Sequence, residues 1–273
     1  MSFTLQKKLR KTLKKVLIVL IGLYVMIASA LYFLQEKMMF LPTTLEQNYE
    51  YRFNQPFEEI FFNTDKGANI NALHFKTENP KGVILYFHGN AGDLSRWGII
   101  TEYFVEKNYD VLIMDYRTYG KSKGKLNEGA FYKDGQYCYD YLLKHYKENE
   151  ITLYGRSLGT GIASYLASEN TPKQLILETP YYSIEDVAKQ RFPMLPVNML
   201  LKYRFPTFRY LKKTDCPITI IHGTEDDVVP YSSAKKLSQL DIDHLDFITI
   251  KNGNHNNLVE FAEYHSAIAE VLE

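Results

Sequence analysis

The sequence predicts an α/β protein, with a mostly parallel central sheet flanked by helices and preceded by one apolar N-terminal helix. Three observations predict it. Residues 16–34 contain no charged side chain. Beyond residue 57, short apolar runs without polar alternation recur at 83–87, 111–114, 151–154, 174–177, 218–221 and 247–250, as expected of strands buried on both faces. Helix-compatible stretches separate most of these runs, and strand–helix alternation implies parallel pairing through right-handed crossovers. A sheet of this kind carries its chemistry at the carboxyl ends of its strands.

The first element is the apolar helix. Residues 16–34 extend about 30 Å as a helix, the thickness of a hydrocarbon layer. Lys7, Lys8, Arg10, Lys11, Lys14 and Lys15 precede them, whereas Lys37 is nearly alone on the other side. The positive-inside rule therefore puts the N-terminus in the cytoplasm and the remainder of the chain across the membrane. A buried core helix normally has a polar face, which this stretch lacks. A cleaved signal peptide would use Ala28-Ser29-Ala30, but apolar residues continue through Leu34 and again over 38–41, so an uncleaved anchor is expected. The expected division is a basic segment 1–15, a membrane helix 16–34, a connecting segment 35–56 and one domain over 57–273.

That domain opens with apolar runs at 57–62 and 70–75 around Asn63-Thr64-Asp65-Lys66-Gly67, a turn-forming cluster that predicts an antiparallel hairpin. The 32 basic and 32 acidic residues cancel, and no basic stretch outside the N-terminus is dense enough for a phosphate backbone, so nucleic acid is not an expected partner. Cys138 and Cys216 are too few for a disulfide framework or a thiolate zinc site. Gly120-Lys121-Ser122 resembles the end of a phosphate-binding loop, but Asp115 stands where that loop needs its first glycine. No metal-ligand spacing is present, and no cofactor is implied.

The run 151–154 leads into Gly155-Arg156-Ser157-Leu158-Gly159 and then a helix-compatible stretch. G-x-S-x-G between strand and helix is a tight turn that lifts a serine hydroxyl above the sheet, with a helix N-terminus beneath it favouring negative charge. A serine hydroxyl needs a base, and the base needs a carboxylate to orient it. The run 218–221 is followed by Glu225, Asp226 and Asp227, and the run 247–250 by His255. Nucleophile, acid and base thus follow one another in the order this turn type uses. Spacing does not choose among the three acids. The N–H of Leu158, after the serine, and that of Asn90, in the loop His88-Gly89-Asn90-Ala91-Gly92, are the candidate donors to a developing oxyanion, ahead of an expected helix over 93–107.

These blocks, with Asp115-Tyr116-Arg117-Thr118-Tyr119-Gly120-Lys121-Ser122, Glu178-Thr179-Pro180-Tyr181, His222-Gly223-Thr224-Glu225-Asp226 and His255-Asn256, resemble the BEM46-like, ABHD13-like branch of the α/β-hydrolases over nearly the whole chain. Thr118 replaces a usual glycine, and Asn257 replaces a frequent acid. The resemblance implies a membrane-anchored serine hydrolase of the α/β-hydrolase fold acting on an ester, with an acyl lipid as the expected substrate class, and with Ser157, Asp226 and His255 as triad and Asp227 as the reserve acid. A thioesterase acting on acylated proteins or acyl-CoA is a second enzymatic possibility, and a non-catalytic membrane-bound scaffold is the alternative of another class. A lid is expected at 181–213, where Phe192, Met194, Met199, Phe205 and Phe208 mix with Arg191, Lys202, Arg204 and Arg209. Either it lies against an anionic membrane and admits acyl chains, with Phe205 and Phe208 mattering more for vesicle-bound lipid than for a short soluble ester, or it packs over the core with its charges solvated.

Overall fold

Val83–Phe87 consists of large apolar side chains, and the two-residue strand period sends alternate members to opposite faces. Val83, Leu85 and Phe87 enter the core on one side of the sheet, Ile84 and Tyr86 the core on the other. Full burial of one such side chain stabilises by about 1.5–3 kcal/mol. The computed structural model describes residues 3–273.

The main sheet contains β1 (Phe57–Asp65), β2 (Ala68–Phe75), β3 (Val83–Phe87), β4 (Asp110–Met114), β5 (Ile151–Arg156), β6 (Gln174–Glu178), β7 (Ile218–Gly223) and β8 (Leu245–Ile250). Their order is β1-β2-β4-β3-β5-β6-β7-β8. β2 pairs antiparallel with β1 and β4, and every other pairing is parallel. β3 and β5 place Tyr86 opposite Tyr154, and the two rings stack with centroids 4.9 Å apart. β8, expected to be buried on both faces, lies at the sheet margin and leaves Asp246 and Thr249 exposed.

After α1 (Phe3–Met39), α2 (Leu94–Val105) and α9 (Ala262–Val271) cover one face of the sheet, and α3 (Glu128–Leu142) and α4 (Leu158–Glu169) the other. Asp93, the expected first residue of α2, is instead its N-cap, with Oδ1 accepting from Ser95 N at 2.7 Å. Between β6 and β7, the predicted lid folds as α5 (Ile184–Arg191), α6 (Val197–Leu200) and α7 (Thr207–Leu211), and α8 (Tyr231–Lys235) follows β7.

Three further sequence expectations need correction. α1 is continuous for 37 residues and takes in both the basic segment and residues 35–39. Lysine, arginine, leucine and methionine are strong helix formers, and no proline intervenes before Pro42. Nor is the segment after it a plain connector. Phe40 is buried against Phe131 and Tyr203, and Leu41–Pro42 pairs in parallel with Ala91–Gly92. In the lid, Phe205 is fully buried against Phe131 and Tyr132, and Phe208 stacks on Tyr182 with centroids 4.4 Å apart. Phe205 is thus closed off from the surface and Phe208 half-buried; the large apolar lid residues that stand exposed are Met194 and Met199.

Candidate active site

β5 ends at Arg156 and α4 begins at Leu158, so Ser157 alone makes the turn, at φ 51° and ψ −114°. Such a conformation costs an L-residue about 1–3 kcal/mol and persists only where its surroundings hold it. Ser157 N donates to the Glu178 carbonyl at 2.9 Å, and its own carbonyl accepts from Thr160 N and Oγ1 at 3.0 and 2.6 Å. Glycine permits the crossing: a Cβ at Gly159 would lie 2.0 Å from the Phe87 carbonyl oxygen, and one at Gly155 2.6 Å from that of Gly159.

His255 reaches Ser157 from the loop after β8. Its Nε2 lies 2.9 Å from Ser157 Oγ and its Nδ1 2.7 Å from Asp226 Oδ2. Asp226 Oδ1 accepts from the N–H groups of Val228 and Val229 at 2.9 and 2.8 Å, which fixes the carboxylate. Glu225 and Asp227 are exposed, so Asp226 is the acid of this loop that meets the imidazole. The two loops interlock, with Glu225 N donating to the Gly253 carbonyl at 2.9 Å. A Cβ at Gly223 would lie 2.1 Å from that oxygen. Asn257, the departure from the family pattern, keeps the turn around His255: its Oδ1 accepts from Asn254 N at 2.7 Å, an acceptor role that a carboxylate also fills.

The donor side of the site is assembled by the buried ring of His88. His88 Nδ1 lies 2.7 Å from the Gly89 carbonyl, and a trans peptide directs the following N–H, that of Asn90, the opposite way. The Asn90 carbonyl accepts from Leu41 N and Tyr119 Oη at 2.9 and 2.8 Å, and its side-chain amide donates to the Met39 carbonyl at 3.0 Å. Leu158, as the first residue of α4, has no intrahelical acceptor for its N–H. No acceptor among the described residues takes either N–H. Asn90, Leu158 and Ser157 line one cavity of 260 Å³ whose other walls are almost wholly apolar, among them Leu31 and Met39 of α1, Phe192 and Leu200 of the lid, and Val229.

Three features had no role in the sequence reading. The Arg156 guanidinium, immediately before the serine, pairs with Glu178 at 3.1 Å, and Glu178 Oε2 also accepts from Tyr154 and Tyr264 Oη at 2.5 and 3.3 Å. The carboxylate raises the already high pKa of Arg156 further. His222 is fully buried beside Asp226, and burial pushes its pKa down. With Nδ1–H donated to the Gly223 carbonyl at 3.0 Å, its Nε2 faces Asp226 Oδ2 at 3.6 Å without a proton, leaving that oxygen to His255. Gln35, finally, stands within the lining of the cavity. The signals for the first two were the charged residue inside the serine motif and the His-Gly pair that recurs just past β3 and at the end of β7; Gln35 had only its position just past the apolar stretch.

The other motif residues have structural surroundings. Lys121 is buried against Glu59 at 2.8 Å, and Ser122 Oγ donates to the Asp115 carbonyl while accepting from Asn71 N. Thr118 adopts φ 78°, the left-handed region in which glycine is at home.

Comparisons with known proteins agree with this architecture. The family described as serine aminopeptidase, S33, a hydrolase family, matches residues 78–215. A putative alpha/beta hydrolase of Acanthamoeba polyphaga mimivirus is 28% identical over 235 residues, covering 82% of this chain and 88% of its own. The lysophosphatidylserine lipase ABHD12 of Danio rerio is 26% identical over 283 residues, covering 84% and 72%. The Pyrococcus furiosus esterase Pf2001 superposes with a TM-score of 0.67 at 17% identity, over 86% of this chain and 97% of that one. By fold, by the strand–serine–helix turn and by these matches, the chain belongs to the α/β-hydrolase family and is a hydrolase related to esterases and lipases.

Proposed function

We propose that the protein is a membrane-anchored serine hydrolase that cleaves carboxylic esters of acyl lipids. The observation that carries this reading is the Ser157–His255–Asp226 chain of contacts, at 2.9 and 2.7 Å, opening onto an apolar cavity. His255 Nε2 takes the Ser157 proton as Oγ attacks the ester carbonyl, and Asp226 holds the ring and stabilises the imidazolium. The N–H groups of Asn90 and Leu158 bind the oxyanion. Collapse of the tetrahedral species breaks the ester C–O bond, the alcohol leaves with the proton from His255, and Ser157 keeps the acyl group. Water deprotonated by His255 then attacks this acyl-serine, releasing the carboxylic acid and returning the proton to Ser157.

The apolar helix supports anchoring: its hydropathy averages 2.5 over the most apolar window, and no residue of that window is buried. The basic residues before it support a cytoplasmic N-terminus, with the hydrolase domain on the opposite face. Labelling of the membrane fraction with a fluorophosphonate, comparing the parent with Ser157→Ala, tests the reading. Labelling of the parent and none of the variant is expected. A folded parent that stays unlabelled overturns it.

A further inference from the structure

The apolar helix does more in this structure than its composition requires. Tyr24, Ala28, Leu31, Gln35 and Met39 follow one another at helical spacing on one face of α1. Of these, Ala28, Leu31 and Met39 are half-buried and Gln35 is buried, whereas the opposite face stays exposed, with Phe33 at 73% and Met26 at 59%. The stripe is covered by the lid. Tyr24 Oη donates to the Met194 carbonyl at 3.1 Å. Gln35 Nε2 donates to the Leu200 carbonyl at 3.0 Å, and its Oε1 accepts from Lys202 N at 2.8 Å. Tyr203 Oη donates to Glu36 Oε1 at 3.1 Å.

These bonds have a physical meaning at bilayer depth. Tyr24 lies within the uncharged stretch 16–34, about 16 Å along the axis from Gln35. Irregular backbone beside such a stretch meets hydrocarbon, where an unpaired carbonyl or amide is costly and survives only if protein groups satisfy it. Tyr24 and Gln35 satisfy Met194, Leu200 and Lys202 in this way. At the lid tip two methionines turn outward, Met194 84% and Met199 77% exposed, beside the exposed Asn198. The cavity over Ser157 is bounded by this same pair of elements, with Leu31, Gln35 and Met38 on one side and Phe192, Leu195 and Leu200 on the other.

We propose that α1 and the lid tip form a lateral portal within the hydrocarbon layer, through which the acyl chain of a membrane-resident ester lipid passes into the cavity above Ser157. α1 is then a wall of the acyl subsite as well as an anchor, and Leu31 selects for chain length. The proposal rests on the ester-hydrolase reading, which the fluorophosphonate test judges separately.

Two measurements on the full-length protein in phosphatidylcholine vesicles test it. Leu31→Trp fills the subsite from the α1 side, and Met26→Trp adds the same bulk to the opposite face. The ratio of p-nitrophenyl palmitate to p-nitrophenyl acetate hydrolysis is expected to fall by at least about tenfold in Leu31→Trp relative to Met26→Trp. Equal ratios in a parent that labels with fluorophosphonate overturn the portal and leave the hydrolase reading intact. Independently of activity, Met194→Trp adds a second tryptophan to a chain whose own, Trp97, is 4% exposed. Lipids brominated at mid-chain are expected to quench the Met194→Trp protein well beyond the parent. Quenching no greater than in the parent overturns the immersion of the lid tip.

Discussion

Replacing Glu178 with glutamine tests how the fold supports the turn that carries Ser157. Arg156 is 9% and Glu178 4% exposed, so the two charges face each other with little water. Their contact is 3.1 Å, and Glu178 Oε2 also collects the Tyr154 hydroxyl. Glutamine keeps the shape and an acceptor but removes the charge, leaving the guanidinium buried and uncompensated. Breaking a buried pair from one side costs about 3–5 kcal/mol. The Trp97 ring, 5.4 Å from the guanidinium carbon, contacts it in parent and variant alike and leaves this cost unchanged. A loss of about 3 kcal/mol, the lower end of that range, lowers the melting midpoint of a domain this size by about 6–12 °C. The assay is a thermal melt in detergent micelles followed by circular dichroism. The double variant Arg156→Met/Glu178→Leu, with no charge left to strand, is expected to recover more than half of the loss. A midpoint for Glu178→Gln within about 2 °C of the parent refutes the reasoning, as does a double variant less stable than the single one.

Asp226→Asn is expected to lower ester hydrolysis about 10⁴-fold, whereas Asp227→Asn stays within about twofold of the parent, because the Asp226 carboxylate alone fixes the His255 tautomer. Comparable losses in the two variants would reject Asp226 as the orienting acid. His74 is buried between the hydroxyls of Tyr141 and Tyr146, at 3.2 and 3.1 Å, and burial drives its pKa from 6.5 down to about 4. The unfolded chain therefore takes up a proton that the folded one resists, so this stabilisation is complete above pH 6.5 and is lost as pH falls toward about 4. The loss amounts to about 3 kcal/mol. Denaturant titrations across that window check it, and a His74→Gln variant with the same acid slope would contradict it. Thr118→Gly, at an exposed φ of 78°, is expected to raise stability by up to about 1 kcal/mol, since relieved left-handed strain exceeds the added chain entropy; an unchanged or lower melting midpoint counts against this.

Much of this molecule follows from local pattern. The uncharged stretch 16–34 required a helix long enough to span a bilayer, whatever followed it. The unalternating apolar runs pointed to strands covered on both faces, which holds for all but the marginal strand at 247–250, and their order against the intervening helices left few topologies. Glycines around Ser157 announced a turn too tight for side chains. These features depend on periodicity, on charge and on the presence or absence of a Cβ, all carried by neighbouring residues. Contacts between segments far apart in the chain required the tertiary structure. Glu225, Asp226 and Asp227 are equivalent in composition; only Asp226 meets the imidazole, because the interlocked glycines 223 and 253 set the direction of their loops. Phe205 and Met194 are both apolar lid residues, yet one is fully buried and the other 84% exposed, since burial depends on what packs above a residue. Gln35 reads as the first residue of a connecting segment, and only the fold brings the Leu200 carbonyl and the Lys202 amide within its reach.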